Sequence, residues 1–376
     1  MSYEIQDRVS LQLLFNDKEW IFNRANELDF VHMVASTRIS VPMLHLALQD
    51  NLDSLSSSTN LADGARIQIV LSARGGRSVS YSFRLNSFKR QPSGGGYRYE
   101  IDAYLDVPTY WHTSRTDPFK GTSYEAIAHI ASRCGLNFSG SSTSDAQTWI
   151  PRNMRYHEWA RDIADYGFRS DSGFMKLGLN LDKTLVYKDV IDETPSIKNM
   201  VFAEYTTNGI MISDAVPASS SGTMNHYSGY QDSLIEQDVM NANVFKENKN
   251  VTVSKGLGQR SLLVNSRIKS AVDQSRISFN PIDPGNTHAN YERAGYQNER
   301  MNGLFSSRIE VVTPQSTELR LLDGVTLVFD SGTEYLQAFS GRYIIASRAV
   351  RLQGNEYFEK FELLRRSVNT ELRDSL

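Results

Sequence analysis

The fold is indicated by two similar stretches, Leu61-Ala62-Asp63-Gly64-Ala65-Arg66-Ile67-Gln68-Ile69 and Leu321-Leu322-Asp323-Gly324-Val325-Thr326-Leu327-Val328-Phe329. The offset that places Asp63 on Asp323, 260 residues, also aligns downstream residues of similar character: Phe83 with Tyr343, Leu85 with Ile345, Ser87 with Ser347, Tyr97 with Tyr357, and Ile101 with Phe361. Such a repeat predicts one β module used twice, each copy entered through an Asp-Gly turn. The alternative is a chance alignment of two generic β meanders.

The first module alternates apolar and polar residues with a period of two. Ser78 to Asn86 shows this alternation, and it resumes from Tyr97 to Leu105 after the loop residues Gln91 to Gly96. Two alternating runs around a Pro/Gly/Ser loop predict a long hairpin with one buried face. Arg66 to Ser72 predicts a further strand beside it.

Two short helices are predicted in the middle of the chain. Thr122 and Glu125 have capping-box spacing, and Gly135 is placed to end the first helix. The second helix is predicted from a cap at Asn153 to Gly167. Its apolar stripe is Tyr156, Trp159, Ala160, Ile163 and Ala164. With a strand at 136–138 and a hairpin of 174–181 with 184–187, these helices predict a small α+β unit over about 113–195.

The stretch from 201 to 300 shows weaker patterns. Strands are predicted at 201–205, 209–212 and 309–312 and a helix at 287–302. Residues 218–222 are predicted to form a loop, and Pro281 with Pro284 to mark a break. Residues 232–260 are polar and are left unassigned, and 262–272 alternate only loosely.

Composition excludes several classes of protein. Forty Lys and Arg against 43 Asp and Glu give a net charge of −3, without the basic footprint of a nucleic-acid binder. A hydrophobic fraction of 40% predicts a folded chain, and no apolar run is long enough to span a membrane. Cys134 is the only cysteine, which excludes a disulfide scaffold and a four-cysteine zinc site. No secretory signal is visible, so a cytoplasm is the expected starting compartment.

The search for catalytic chemistry is negative. His157 begins a zinc-protease-like pattern, but Arg161 stands where the second histidine would be needed. Gly94 to Gly96 precede a strand, so a hairpin turn is predicted there and not a phosphate loop. Cys134 is predicted to be a buried structural thiol. Four carboxylates in close pairs are predicted to be solvated charges: Asp162, Asp165, Glu359 and Glu362. We therefore predict no catalytic, cofactor-binding or metal-binding residue, although the two carboxylates of a glycosidase need not be close in sequence.

The order of these elements resembles a known family. The residues that carry the resemblance are Ser123 to Ala131 closing at Gly135-Leu136, Tyr156 to Phe168, Leu185 to Asp189, Ser340 to Ser347, and Tyr357 to Arg365. This order looks like the baseplate hub proteins of contractile-tailed phages, late control protein D and the N-terminal half of type VI secretion spikes. Arg155-Tyr156-His157 departs from the family's commoner Ser/Asp-rich helix entry. The resemblance is weakest from 231 to 300.

The resemblance implies an α+β, mainly β fold with two similar antiparallel β-barrel (tube) domains. These flank, and are interrupted by, a smaller α+β region. The implied division is 1–112 for the first tube domain, 113–197 for an α+β insertion, 198–235 plus 303–368 for the second tube domain, 236–302 for an insertion completing the α+β region, and 369–376 for a tail. The family carries no catalytic residues, so none is transferred to this chain.

The function implied is that of a structural baseplate hub. Three chains would form a pseudo-sixfold ring that joins a trimeric central spike to a hexameric tail tube, with a lumen through which DNA passes transiently. The implied partners are the spike, the tail tube or a tube initiator, and other baseplate proteins, without a membrane anchor. The implied location is the virion, assembled in the bacterial host cytoplasm. Because the chain stops soon after the last strand, we expect the spike to be a separate polypeptide. Two alternatives stay open: the hub of a phage-derived injection or secretion system, and a β-rich carbohydrate-binding protein or glycosidase.

Overall fold

The computed structural model describes most of the chain. The described residues are 3–5, 9–22, 27–59, 61–73, 78–170, 173–191, 196–202, 209–219, 231–238, 244–250, 276–282, 288, 290, 291, 294, 295, 305, 307–329, 337, 339–353 and 356–365.

The first third of the chain is almost entirely strand. Its elements are β1 (Tyr3–Ile5), β2 (Val9–Phe15), β3 (Lys18–Trp20), β4 (Leu28–Ser36), β5 (Met43–Asp50), α1 (Ser54–Thr59), β6 (Arg66–Ala73), β7 (Ser78–Ser93) and β8 (Gly96–Leu105). The predicted strand and the long hairpin are both confirmed as β6, β7 and β8. The hairpin turns at Gly94 and Gly95, which both have positive φ, a conformation that costs glycine little.

The middle third combines short helices with short strands. Its elements are α2 (Pro108–His112), β9 (Phe119–Gly121), α3 (Ser123–Arg133), β10 (Asn137–Gly140), β11 (Gln147–Trp149), α4 (Tyr156–Asp165), β12 (Met175–Leu179) and β13 (Thr184–Asp189). The predicted capping box is confirmed, since Thr122 Oγ1 accepts from the Glu125 N–H and the Glu125 carboxylate accepts from the Thr122 N–H. The stripe predicted for α4 is buried. The cap predicted at Asn153 is wrong, because α4 begins after Arg155 and Asn153 lies in a turn with φ +61°.

The last third returns to strand. Its elements are β14 (Ser196–Phe202), β15 (Ile210–Ile212), β16 (Asp214–Ser219), β17 (Gln231–Asp238), β18 (Val244–Asn250), β19 (Arg276–Ile282), β20 (Ser307–Thr313), β21 (Gly324–Val328), β22 (Gly341–Gln353) and β23 (Glu356–Arg365). Two predictions are wrong here: Ala218 and Ser219 lie in β16 and not in a loop, and Pro281 lies within β19 and not at a break. Of the predicted helix at 287–302, the described residues Tyr291, Ala294 and Gly295 are helical. Residues 220–222, 262–272 and Pro284 lie outside the described residues.

One sheet of fifteen strands joins the two ends of the chain. Its main path is β1-β2-β6-β7-β8-β5-β4-β22-β21-β14-β15, with β16-β20-β23 attached through β22 and β3 attached to β2. Smaller sheets are β10-β13-β12, β11-β9 and β18-β17-β19. The prediction of a mainly β, α+β fold is confirmed.

Alternation places one face of the large sheet in the core. Burial alternates residue by residue along β2 and β23, and along β8 from Arg98 onward, as a strand with one solvent-exposed face requires. The α+β unit is held together by Asp145, a fully buried carboxylate that accepts the N–H of Ser123 at 2.9 Å and of Phe168 at 2.7 Å. Among the described residues, no helix has the length and apolarity needed to cross a membrane.

Candidate functional site

The two long hairpins, β7-β8 and β22-β23, are paired in the same register at an offset of 260 residues. Leu85 lies opposite Ala103, and its counterpart Ile345 lies opposite Leu363. In both hairpins the register then shifts at the next step, so that Ser87 faces Asp102 and Ser347 faces Glu362. A β-bulge adds an unpaired residue and bends the strand. Its presence at the same place in both copies confirms the aligned residues of the predicted repeat from Phe83 onward.

The repeat has a different offset in the strand before the hairpin. The Gly64 N–H donates to the carbonyl of Leu85, and the equivalent donor to Ile345 is Leu322. Leu322 also has the positive φ of Gly64, at +65° against +78°. The predicted match of Gly64 with Gly324 is therefore wrong by two residues, and Gly324 is already the first residue of β21.

The repeat extends to two further strand pairs. Ile101, Leu46 and Val31 face one another across β8, β5 and β4. Their counterparts across β23, β20 and β16 are Phe361, Val311 and Ala215. The bulge of β4 at Asp29 has a counterpart at Ser213, whose N–H donates to the Val312 carbonyl just before β16 begins. Four strands of one module therefore correspond to four of the other: β7 to β22, β8 to β23, β5 to β20, and β4 to β16.

These strands form one antiparallel arc of eight, in the order β7-β8-β5-β4-β22-β23-β20-β16, which we call the eight-strand arc. The two modules meet in its middle, where β22 pairs with β4 from Ser347 opposite Ser36 to Gln353 opposite Phe30. We call this pairing the internal joint. It joins residues more than 300 positions apart in sequence.

A buried ion pair lies on the core side of the internal joint. Arg348 Nη2 contacts Glu359 Oε1 at 2.9 Å, and the Glu359 side chain is fully buried. Glu359 also accepts from Tyr357 Oη at 2.6 Å and from Thr317 Oγ1 at 2.6 Å, and Arg348 donates to the carbonyls of Thr317 and Leu319. Burial acts to lower the pKa of Arg348, but Glu359, Tyr81 and Tyr357 together raise that pKa above its ordinary value. The prediction that Glu359 is a solvated charge is wrong.

The two ends of the eight-strand arc are open in the described part of the chain. Beyond the bulge, β7 pairs only with β8, from Ser87 to Ser93. At the other end, β16 pairs only with β20. We call these segments the open edges. Each carries an exposed apolar side chain, Phe88 at 40% and Val216 at 51% exposure.

Paired ionisable side chains lie on the solvent-facing side of the arc. His45 Nδ1 contacts Asp102 Oδ1 at 2.6 Å, Lys360 Nζ contacts Glu310 Oε2 at 2.5 Å, and Glu362 pairs with both Arg38 and Arg308. The pKa of His32, which faces His45 across the strands, is lowered by burial and by the nearby Arg351 and His45. Positive and negative groups are therefore interspersed over this face.

The residues singled out for chemistry do not converge on one centre. The ring of His157 packs against the ring of Tyr110, with 6.2 Å between the ring centroids. Cys134 ends α3, packs against the core, and has a pKa raised to about 12 by burial, which suits a structural thiol. Burial raises the pKa of both Asp162 and Asp165 on α4. Among the described residues, no group of three or more His, Cys, Asp or Glu is placed to hold a metal ion.

The sequence patterns missed the open edges. The prediction of a loop at Gln91 and Pro92 is wrong, because both lie in β7, and the sequence predicts no element at Val216 and Pro217, which lie in β16. A mapping of the second module onto β4 and β5 could have found β16, but its alignment requires offsets of 184 and 265 residues that sequence similarity does not reveal.

The fold is that of phage tail proteins. The chain is similar to a tail protein from Neisseria meningitidis MC58, with a TM-score of 0.63, 10% identity, and 95% of this chain and 96% of that one covered. It is also similar to the 43 kDa tail protein of prophage MuSo2 from Shewanella oneidensis, with a TM-score of 0.61, 11% identity, and coverage of 95% and 98%.

The likeness extends to a chain of a larger complex. A chain of the Francisella PdpA-VgrG complex gives a TM-score of 0.50 at 8% identity, over 97% of this chain and 59% of that one. These structures fit the resemblance to the baseplate hub family. No protein-family model matches the sequence. No curated protein matches it either.

Proposed function

We propose that the chain is a structural hub subunit of a contractile phage tail baseplate and that three copies of it assemble as a homotrimer. The observation that carries the proposal is the eight-strand arc, whose open edges are the counterparts of the two edges joined inside it. In the internal joint, β22 pairs with β4; at the open edges stand β7 and β16, their equivalents. Strand pairing between β7 of one chain and β16 of the next would repeat the internal joint between subunits.

The repeat fixes the register of that subunit joint. Val350 faces Met33 in the internal joint, and the equivalent residues are Arg90 and Pro217. On the same basis Gln91 would face Val216 of the next chain, and Pro92 would face Ala215. Strand directions alternate along the arc, so the added pair is antiparallel like every pair within it.

Such a head-to-tail contact forms a ring if its rotation closes. With three chains the ring contains six similar modules, which we assign to 1–112 and to 198–235 plus 303–368. Threefold symmetry then suits a trimeric spike, and near-sixfold symmetry suits a hexameric tail tube or tube initiator. The ring therefore acts as a symmetry adapter in the baseplate, and the assembled protein is located in the virion.

The solvent-facing side of the arc lines the lumen in this proposal. Its interspersed ion pairs leave no large field of one sign, so a polyanion such as DNA passes without strong adhesion. We assign the chain no catalysis, no cofactor and no metal. The fold likeness to the Francisella PdpA-VgrG complex supports the hub of an injection or secretion system as the second candidate, with the same ring geometry.

A mass measurement tests the proposal. Native mass spectrometry of the purified chain, alone and with the spike protein encoded beside it, is expected to give three copies of the chain in the complex. A complex that holds only one or two copies of the chain, or a strictly monomeric chain in both samples, contradicts it. Tail genes around the coding sequence favour the phage hub, and secretion genes favour the second candidate.

A further inference from the structure

Both open edges carry a proline, which has no backbone N–H. In both strands the proline nitrogen lies on the side of the strand that is not paired. On β7, Ser93 pairs with Gly96 across the two-residue turn, so the Ser93 N–H points to β8. Since donors alternate along a strand, the nitrogen of Pro92 lies on the open side. A proline there costs the existing ladder nothing.

The same holds at the other end of the arc. The Ser213 N–H donates to the Val312 carbonyl at 2.8 Å, and Asp214 lies opposite Val312, which is the pattern of a bulge whose two donors point to one acceptor. The donors of Asp214 and Val216 therefore point to β20, and the nitrogen of Pro217 lies on the open side.

The internal joint has no proline at the equivalent positions. Leu352 stands where β7 has Pro92, and Met33 stands where β16 has Pro217. The register of the subunit joint sets Pro92 opposite Ala215 and Pro217 opposite Arg90. Each proline therefore removes one hydrogen bond that the internal joint is able to form, and the two losses fall on neighbouring pairs.

We propose that Pro92 and Pro217 guard the open edges of the free chain against a second copy of this chain. Without the prolines, the complementary edges of free chains would pair head to tail more tightly, and such a contact can extend into open chains as well as close into rings. The two prolines keep that association weak. The ring then closes when contacts with the spike or the tail tube bring the chains together. This inference rests on the proposed subunit joint.

The test restores the two donors. The double variant Pro92→Thr/Pro217→Val is compared with the wild type and with Gln91→Thr/Val216→Ile, which alters the same edges at positions whose donors point inward. Sedimentation velocity over a concentration series measures the dissociation constant. We expect self-association to tighten about fivefold for each restored bond, because a net hydrogen bond of about 1 kcal/mol corresponds to that factor. The control variant is expected to associate like the wild type.

Either of two results would contradict the proposed role of the prolines. In the first, the proline variant self-associates no more tightly than the wild type. In the second, the control variant self-associates as tightly as the proline variant. The subunit joint is tested separately by a disulfide between Gln91→Cys and Val216→Cys of neighbouring chains. If that disulfide forms while the proline variant is unchanged, the guard is wrong and the ring stands; if it does not form, the ring itself is wrong.

Discussion

The hairpins β7-β8 and β22-β23 share a pairing register and a bulge, yet their surroundings differ. In β22 the residues beyond the bulge are covered by β4, and Val350 and Leu352 are fully buried. In β7 the equivalents Arg90 and Pro92 are exposed. The register and the bulge of the backbone are therefore set by the local alternation and the turn. The character of the side chains instead depends on whether another strand pairs with that edge.

Position 348 shows this difference most directly. Arg348 donates into a buried network at the internal joint, while its counterpart Phe88 is 40% exposed at the open edge. Nearby on β7, Arg90 lies over the Tyr97 ring at 3.5 Å and pairs with Asp53 at 2.8 Å. One edge is completed within the chain, and the other is open in the described part of the chain.

Breaking the buried pair gives the largest expected effect. Glu359→Ala leaves the Arg348 charge buried without its partner, so we expect the free energy of unfolding to fall by about 3–5 kcal/mol. The matched control is Glu310→Ala, which removes the exposed pair with Lys360 and is expected to cost about 1 kcal/mol or less. Urea denaturation followed by fluorescence measures both. Equal losses in the two variants would show that Glu359 is not the buried anchor of the joint.

A smaller effect is expected at the turn where the two copies differ. Gly64 has φ +78° and no atom within 4 Å of an added Cβ, so Gly64→Ala introduces backbone strain without a clash. We expect a loss of about 1 kcal/mol. Thermal unfolding measures it, with Gly96→Ala as a contrast: a Cβ there would lie 2.4 Å from the Asp50 carbonyl oxygen, so its loss must be greater. A neutral Gly64→Ala variant would contradict the assigned turn conformation.

The smallest effect concerns pH at the internal joint. Because the pKa of folded His32 is lowered, the folded state binds fewer protons than the unfolded state as pH falls below about 6.5. Its contribution to stability is present above that pH and is lost as pH falls through the folded pKa. We expect this loss to be about 1 kcal/mol or less, since the ring is partly exposed.

The measurement compares unfolding midpoints at pH 7.5 and pH 5. His32→Gln is expected to reduce the drop seen in the wild type, whereas Val216→Gln, at the equivalent position on β16, leaves it unchanged. An identical drop of the unfolding midpoint in the wild type and in His32→Gln would show that His32 does not cause the loss of stability at low pH.

Much of this fold was predictable from local patterns. Period-two alternation identified the β7-β8 hairpin, and matching aromatic positions identified its second copy at the correct offset. The two-residue error at the Asp-Gly turn arose because sequence similarity does not show which residue takes a positive φ. Leu322 takes it while fully buried, so packing offsets the strain that glycine avoids.

The candidate site was not predictable in the same way. The sequence does not distinguish Glu359 from the other acidic residues. Its role is evident only from the fold, which places Arg348 of the neighbouring strand and Thr317, 42 residues away, beside it. The open edges can be identified only when the order of strands is known, because a strand is an edge strand when no other strand pairs with one of its sides. Pro92 and Pro217 are the local signals, since a proline inside a strand indicates an edge.

The subunit joint is tested most directly by the cysteine pair Gln91→Cys/Val216→Cys. In the expected register these residues form a pair that is not hydrogen-bonded, with Cα atoms about 4.5 Å apart, within the range of a disulfide. The native Cys134 thiol interferes little, because its pKa is raised to about 12. Arg351→Cys/His32→Cys is the equivalent pair of the internal joint and serves as the positive control, and Lys89→Cys/Val216→Cys is out of register by two residues.

After mild oxidation, non-reducing electrophoresis is expected to show closed trimers for Gln91→Cys/Val216→Cys, cross-linked monomers for the internal pair, and little product for the shifted pair. Monomers alone from the first variant, or equal cross-linking in the shifted one, would contradict a ring in which the subunit joint repeats the internal joint.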